Sequence, residues 1–332
     1  MELYLGIDTS CYTTSLAVID GEGNLFSEAR KMLAVPSGNK GLAQNEAVFQ
    51  HLANLPGLYE RICRTDGFTS LRGIAASVRP RPVDGSYMPV FKVAESFGRA
   101  TASLLNLTFV ETSHQEGHLA AGVWSAHGPR EREFLAVHLS GGTTELLRVV
   151  LDNNGLENSG AGNVFNIRLL GGSSDLHAGQ FIDRIGVALG LPFPAGPHLE
   201  ELARKAQTDL TVPSSVKKYD ISYSGPETAA LRLIQSQAPA AEIARAVEKC
   251  IANSLEKVIR LAVADTGLQS VLIVGGVSAN KYIRDRLSLR LSRIMTGGGL
   301  YFAGKEWAGD NAVGVALLGA QKIRKQTEPY IL

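Results

Sequence analysis

Apolar and polar positions over residues 3–34 alternate and break in the manner of a three-stranded meander. Residues 44–64 read as a helix, bent at Pro56, and residues 72–78 as a short buried strand. A helix with small residues on one side is expected over 90–105, then a strand at 108–111 and a helix from His114. After residue 134 the pattern predicts two long strands, a helix over 175–189 and a helical stretch over 240–264. Residues 271–277 form a fully apolar strand ending in a glycine turn, with a helix from Ser278, and the last helix runs over 311–325. Pro192 to Pro197 and Val212 to Ser224 read as active-site loops. Strands alternating with helices imply an α/β fold with mixed β-sheets flanked by helices.

The opening pattern occurs twice. Tyr4 to Leu16 (YLGIDTSCYTTSL) runs in register with Phe134 to Leu146 (FLAVHLSGGTTEL), and Asp20 to Leu25 (DGEGNL) falls opposite Asp152 to Leu156 (DNNGL). Each copy is an apolar strand, a tight Ser/Gly/Thr turn, a second apolar strand and an Asp-Gly or Asn-Gly type turn. Small hydroxyl residues and glycines let backbone N–H groups approach an anion, so each turn is a candidate phosphate cradle. Chance likeness of two hairpins would give the same pattern. Read as a true repeat, it resembles the actin-like ATPase (ASKHA) fold, two similar domains clasping a nucleotide in the cleft between them. The expected division is 1–110 plus about 311–332, closed by the last helix, and 111–310, carrying most metal and nucleotide residues.

Composition narrows the class without naming a ligand. The chain has 332 residues, 45% apolar and 20% charged, enough for two globular domains. A net charge of +1 supplies no global basic field, so RNA would have to meet a local patch or come with a partner. Acids at Glu2 and Asp8 argue against a signal peptide or membrane span, and Cys11, Cys63 and Cys250 show no CxxC spacing, which fits a reducing cytoplasm.

Three constellations can carry chemistry. His114 and His118 stand at i and i+4, one face of a helix, and can reach a single divalent metal. A zinc protease needs glutamate directly after the first histidine; Glu116 is two positions on, about 200° around the helix, and points away. A lone HxxxH serves as well for surface or capping histidines. His138, ending the strand that enters the second hairpin, and Asp310, heading the last helix, are the best further ligands. Next, Gly275-Gly276 after a buried strand brings backbone close to a flat or anionic ligand, Ser278 can cap the next helix, and Asn280 offers donor and acceptor to a purine or ribose edge; a plain glycine turn is the simpler alternative. Third, Asp183 lies one to two turns into its helix, placed for ribose hydroxyls, while Asp175 reads as the N-cap and His177 as a surface residue.

The ordered set His114-x-x-x-His118, Ser140-Gly-Gly-Thr, Ala178-Gly-x-x-x-Asp183, Pro194-x-Gly-Pro197, Tyr219 to Gly225, Gly275 to Asn280 and Asp310-Asn311 resembles the TsaD family of threonylcarbamoyl transferases over nearly the whole chain. The resemblance implies a divalent metal (iron or zinc) on His114, His118 and Asp310. Some members have a tyrosine ligand where this chain has His138. It further implies phosphate contacts at Ser140, Gly141 and Gly142, and contacts to ATP, ADP or threonylcarbamoyl-AMP at Asp183, Gly196 and Asn280. The implied product is N6-threonylcarbamoyladenosine in tRNAs that read codons beginning with A, made with protein partners and no residue as a covalent nucleophile. Small-residue faces such as Ala94 to Ala102 would permit a dimer and equally suit a core.

The chain departs from the family pattern at defined places. Tyr12-Thr13 replaces an acidic pair after Ser10-Cys11, and Arg79-Pro80-Arg81-Pro82 replaces a Gly-Pro-Gly turn. Glu145 stands for a glutamine, Gln180 for a glutamate, and residues 48–64 lack the usual polar pattern. These changes also suit a diverged paralogue, either a carbamoyl-type transferase on a non-tRNA acceptor or a nucleotide-binding partner without turnover.

Overall fold

The computed structural model describes residues 2–36, 38–39, 41–68, 70–151 and 164–327. β1 (Leu3–Asp8), β2 (Thr13–Asp20) and β3 (Leu25–Met32) form the antiparallel meander. After α1 (Gln44–Cys63), which runs through Pro56, β4 (Leu71–Arg79) pairs parallel with β1. After α2 (Phe91–Leu105), β5 (Thr108–Ser113) pairs parallel with β4, and α3 (His114–Ala126) follows at once.

A second meander comprises β6 (Glu133–Leu139), β7 (Thr144–Leu151) and β8 (Phe165–Gly172). Then come α4 (Ala178–Ala188), α5 (Gly196–Ala203), the hairpin of β9 (Ser215–Lys217) and β10 (Asp220–Ser222), α6 (Ser224–Gln235) and α7 (Ala240–Thr266). β11 (Val271–Val274) pairs parallel with β6 and leads through a 3-10 turn to α8 (Lys281–Leu291). β12 (Leu300–Phe302) pairs parallel with β11, and α9 (Val313–Thr327) ends the described chain.

The strand orders are β3-β2-β1-β4-β5 and β12-β11-β6-β7-β8. Strand for strand, β1, β2, β3, β4 and β5 correspond to β6, β7, β8, β11 and β12, with the same parallel and antiparallel pairs. The sequence repeat is therefore a repeat of topology. Its second turn, at 152–156, lies outside the described residues.

Period two in the strands sorts each sheet's two faces. Leu3, Leu5 and Ile7 pack with Leu55, Leu58 and Ile62 of α1 and Val93 of α2, whereas Tyr4 packs with Val313, Val315 and Ala316 of α9. In the second sheet Leu135 and Val137 face α4 and α7, and Phe134 and Ala136 face Leu119 of α3 and Leu318 of α9. Strands buried on both faces need the continuous apolar runs seen here. α3 and α9 touch backbone to backbone: a Cβ at Gly314 would lie 1.8 Å from the Gly117 carbonyl oxygen. Among the described residues, no helix is long and apolar enough to cross a membrane.

Several local expectations change. β8, α5 and α6 arise where no element, or a loop, was expected. β11 stops at Val274 because Gly275, at φ +91°, turns the chain against Leu139, whose carbonyl oxygen would lie 2.2 Å from a Cβ there. The next helix starts at Lys281, capped by Asn280 rather than Ser278, since Asn280 Oδ1 accepts the Ile283 N–H at 2.9 Å. α4 is preceded by His177 at its N-cap position, not Asp175. Asp175 instead accepts hydrogen bonds from the Ser222 hydroxyl (2.6 Å), the Ser224 hydroxyl and the Tyr223 N–H (3.0 Å), pinning the start of α6.

Candidate functional site

α3 starts where β5 ends, and its first turn is fixed by a reciprocal cap. The Ser113 hydroxyl accepts the Glu116 N–H at 3.2 Å, and the Glu116 carboxylate accepts the Ser113 N–H at 2.8 Å. Glu116 is thus committed to the cap and has no place as a hydrolytic base. With the helix start fixed, His114 and His118 project from one face, their Nε2 atoms 3.1 Å apart. β6 delivers His138 to the same point, and the ligand atoms of the three histidines lie within 4.8 Å of one another. Asp310, just ahead of α9, brings Oδ1 to 3.3 Å from His118 Nε2 and 3.5 Å from His114 Nε2. Four residues from three segments converge because α3 and α9 are in backbone contact.

The electrostatics favour ligand forms at His138, His118 and Asp310. Burial, reinforced by His118 and His114, presses the His138 pKa far below the usual imidazole range, and burial with His114 lowers that of His118. For His114 burial acts downward too, but the Asp8 carboxylate and Asp310 outweigh it and raise the pKa. Burial works against ionisation of Asp310, yet the His118 hydrogen bond, the His114 charge and the Tyr12 N–H hold its carboxyl below the usual range. Both ring nitrogens of His138 are buried without a hydrogen-bond partner. Such orphaned nitrogens are costly unless a further ligand takes them. Three imidazoles and a carboxylate suit a first-row divalent ion, so the residues present fit the implied metal.

The Ser140-Gly141-Gly142 turn joins β6 to β7 beside this cluster. The Ser140 carbonyl accepts the Gly179 N–H at 3.2 Å, and the Thr144 hydroxyl accepts the Ala178 N–H at 2.8 Å, so the turn sits on the N-terminus of α4. Gly179 is required there: a Cβ would meet Gly141 N and Ser140 O at 2.7 Å. A helix start beside a glycine turn is a setting that favours anions. The Gly275 turn abuts Leu139 at the carboxyl ends of the parallel pair β6 and β11.

The other expected residues are placed as follows. Asp183 Oδ1 accepts the Ala195 N–H at 2.8 Å and so positions the start of α5 at Gly196; burial pushes the Asp183 pKa up. Asn280 is engaged at both ends, its Oδ1 by the cap and its Nδ2 donating to buried Glu248 at 2.6 Å. Cys11 turns the first hairpin at φ +46°, and burial, with Asp310 and Asp8 nearby, pushes its thiol pKa well up, away from a nucleophilic thiolate.

Two features went unread in the sequence. Asp8 Oδ2 lies 3.0 Å from His114 Nδ1, which leaves Nε2 for the cluster. The signal was available, because Asp8 is the counterpart of His138 in the repeat. Glu145, buried in β7, pairs with Arg81 and accepts a hydrogen bond from Gln115 Nε2 at 2.7 Å; no local pattern marks that contact.

The family model described as tRNA N6-adenosine threonylcarbamoyltransferase matches residues 29–317. A protein of that name from Thermus thermophilus is 31% identical, covering 85% of this chain and 83% of its own length. The one from Archaeoglobus fulgidus is 30% identical, covering 95% and 90%. Among solved structures, component A of (R)-2-hydroxyglutaryl-CoA dehydratase from Acidaminococcus fermentans is similar in fold, with a TM-score of 0.59, 14% identity, and 98% of this chain and 100% of that chain covered. HypF of T. kodakarensis gives a TM-score of 0.58 at 16% identity, with 98% and 48% covered. The fold is that of the actin-like ATPases. On the family match and the length shared with these relatives, the chain belongs to the TsaD family of tRNA N6-adenosine threonylcarbamoyltransferases.

Proposed function

We propose that this protein moves a threonylcarbamoyl group from threonylcarbamoyl-AMP to N6 of adenosine in tRNAs that read codons beginning with A. The observation that carries the proposal is the meeting of His114, His118, His138 and Asp310 beside a glycine turn at a helix N-terminus, in a chain of this family. In this reading His114, His118, His138 and Asp310 hold one iron or zinc ion. Such an ion, when bound, supplies Lewis-acid polarisation of the carbamoyl carbonyl. Backbone N–H groups of Ser140, Gly141 and Gly142 steady the AMP phosphate, and Asp183, Gly196 and Asn280 line the nucleotide. The adenine N6 attacks the carbamoyl carbon, the new C–N bond forms as the bond to the phosphate oxygen breaks, AMP leaves, and N6 loses a proton. No enzyme nucleophile takes part, in keeping with the raised thiol pKa of Cys11. The lobes are 1–110 with about 311–332, and 111–310, the first sheet running on to Ser113 at the end of β5, and the setting is cytoplasmic, with protein partners of the same pathway.

The test is transfer with purified protein, freshly made threonylcarbamoyl-AMP, unmodified tRNA, added metal and candidate partners, read by nucleoside mass spectrometry. Threonylcarbamoyladenosine that disappears in His114→Ala is expected. A persistent acylated enzyme on intact-mass analysis would contradict the direct transfer.

One observation favours a second reading, a paralogue acting on a non-tRNA acceptor or serving as a nucleotide-binding partner. Where the resemblance implies an acid, Tyr12 packs edge-on against Phe193 with ring centroids 5.2 Å apart, replacing charge with an aromatic contact. Bound adenylate with no modified tRNA under every condition is its expected signature.

A further inference from the structure

Two positions at which this chain departs from the family pattern meet in space. Arg81 stands in the loop after β4, within the segment that replaces a Gly-Pro-Gly turn, and Glu145 replaces a glutamine in β7. The Arg81 guanidinium pairs with one Glu145 carboxylate oxygen, and the other oxygen accepts from Gln115 Nε2 at 2.7 Å. The Gln115 backbone N–H donates to the Pro80 carbonyl at 3.0 Å. The loop, the first turn of α3 and β7 are thereby tied into one ring.

That ring adjoins the histidine cluster on two sides. Gln115 lies between His114 and His118 in α3, and Glu145 is the cross-strand partner of His138, so their side chains leave the same face of the sheet. The Arg81 charge also acts on His177, at the start of α4, as well as on His138. The exposures of the pair are unequal: the Glu145 side chain is 7% exposed and that of Arg81 46%. A carboxylate fixed inside holds one edge of the guanidinium, while a guanidinium carries five N–H donors in a rigid fork. The Arg81 side chain is partly exposed, so donors beyond the Glu145 contact remain accessible to a ligand.

We propose that Arg81, anchored by Glu145, is a specificity-determining residue that holds a carboxylate or phosphate oxygen of the ligand beside the histidine cluster. The proposal rests on the transferase reading, in which the ligand is an acyl adenylate carrying both groups.

Calorimetric titration of the full chain tests it with three probes: adenosine, AMP, and a non-transferable analogue of threonylcarbamoyl-AMP that keeps the threonine carboxylate. Wild type is compared with Arg81→Ala, Arg81→Lys and Glu145→Gln, each checked by thermal unfolding. Arg81→Ala is expected to weaken the analogue about tenfold or more, as for loss of a charge-assisted hydrogen bond, while adenosine binding holds. Arg81→Lys recovers only part, because an ammonium lacks the fork, and Glu145→Gln gives an intermediate loss. If AMP weakens equally, the phosphate is the group held; if only the analogue weakens, it is the carboxylate. Arg81→Ala binding AMP and the analogue like wild type overturns the assignment, as does an equal loss for adenosine, which would mark a merely structural role. A wild type that binds neither AMP nor the analogue overturns the transferase reading and this assignment with it.

Discussion

Asp8 ends β1 with its carboxylate on His114 Nδ1, and this one contact sets which nitrogen His114 offers to the cluster. Asp8→Asn keeps the size and removes the charge; affinity for zinc should fall about 10–100-fold in chelator competition. Unchanged affinity would mean that α3 alone orients the ring. Asp175 shows how a correct residue can be given the wrong task. Aspartate before a helix suggests a cap, but its partners at Ser222 to Ser224 are remote in sequence, so only folding reveals them. Partial burial raises its pKa, yet the Ser222 and Ser224 hydroxyls and the Tyr223 and Leu176 N–H groups outweigh that and hold it well below the usual carboxylate range. A depressed folded-state pKa stabilises above the unfolded value, about 3.9, and that stabilisation is lost as pH falls below it. Asp175→Asn should therefore be less stable than wild type in urea at pH 7, with the gap beginning to narrow only as pH falls below about 4 and still incompletely closed at pH 3. A gap independent of pH would rule out the ionised form as the source.

At the scale of elements, the contact of α3 with α9 decides whether Asp310 reaches the histidines. Gly314 faces the Gly117 carbonyl at a distance no side chain tolerates. Gly314→Ala gains about 1 kcal/mol in helix propensity, but the clash with backbone costs more, a net loss of about 2 kcal/mol in urea unfolding, with weaker metal binding. A more stable variant would show that the two helices can separate without harm. Most elements were legible from sequence: the first meander, α1, β4, α2, β5, α3, β6, β7, α4, α7, β11 and α9. β8 was missed because it ends in Gly171-Gly172, which reads as a turn. In the fold both glycines are close-approach positions, against Tyr219 and against the Thr144 carbonyl. α5 was hidden by its own start, Gly196-Pro197, although proline suits a first helical turn.

Over the whole molecule, α9 covers one face of the first sheet and meets the second through Leu318, while α3 packs on the second sheet through Leu119 and meets α9 where Gly117 faces Val315. A chain ended after residue 310 would expose Tyr4, Ala17, Ile19 and Ala75, which α9 otherwise covers. It should lose near-UV dichroism and aggregate, since the cover lost exceeds what a domain stability of about 5–15 kcal/mol can absorb. A truncated form that stays soluble with native dichroism would show that the first sheet needs no such cover. The sequence by itself determined the α/β class and the doubled meander, and put two histidines on one face of a helix as candidate ligands, because strand alternation, turn chemistry and the i, i+4 spacing are local properties. Only the tertiary structure decided how closely Asp310 and His138 approach His114 and His118, that Asp8 sets His114, and that Arg81 meets Glu145. Those contacts depend on how two sheets and two helices pack, and packing brings together residues whose local sequence carries no sign of one another.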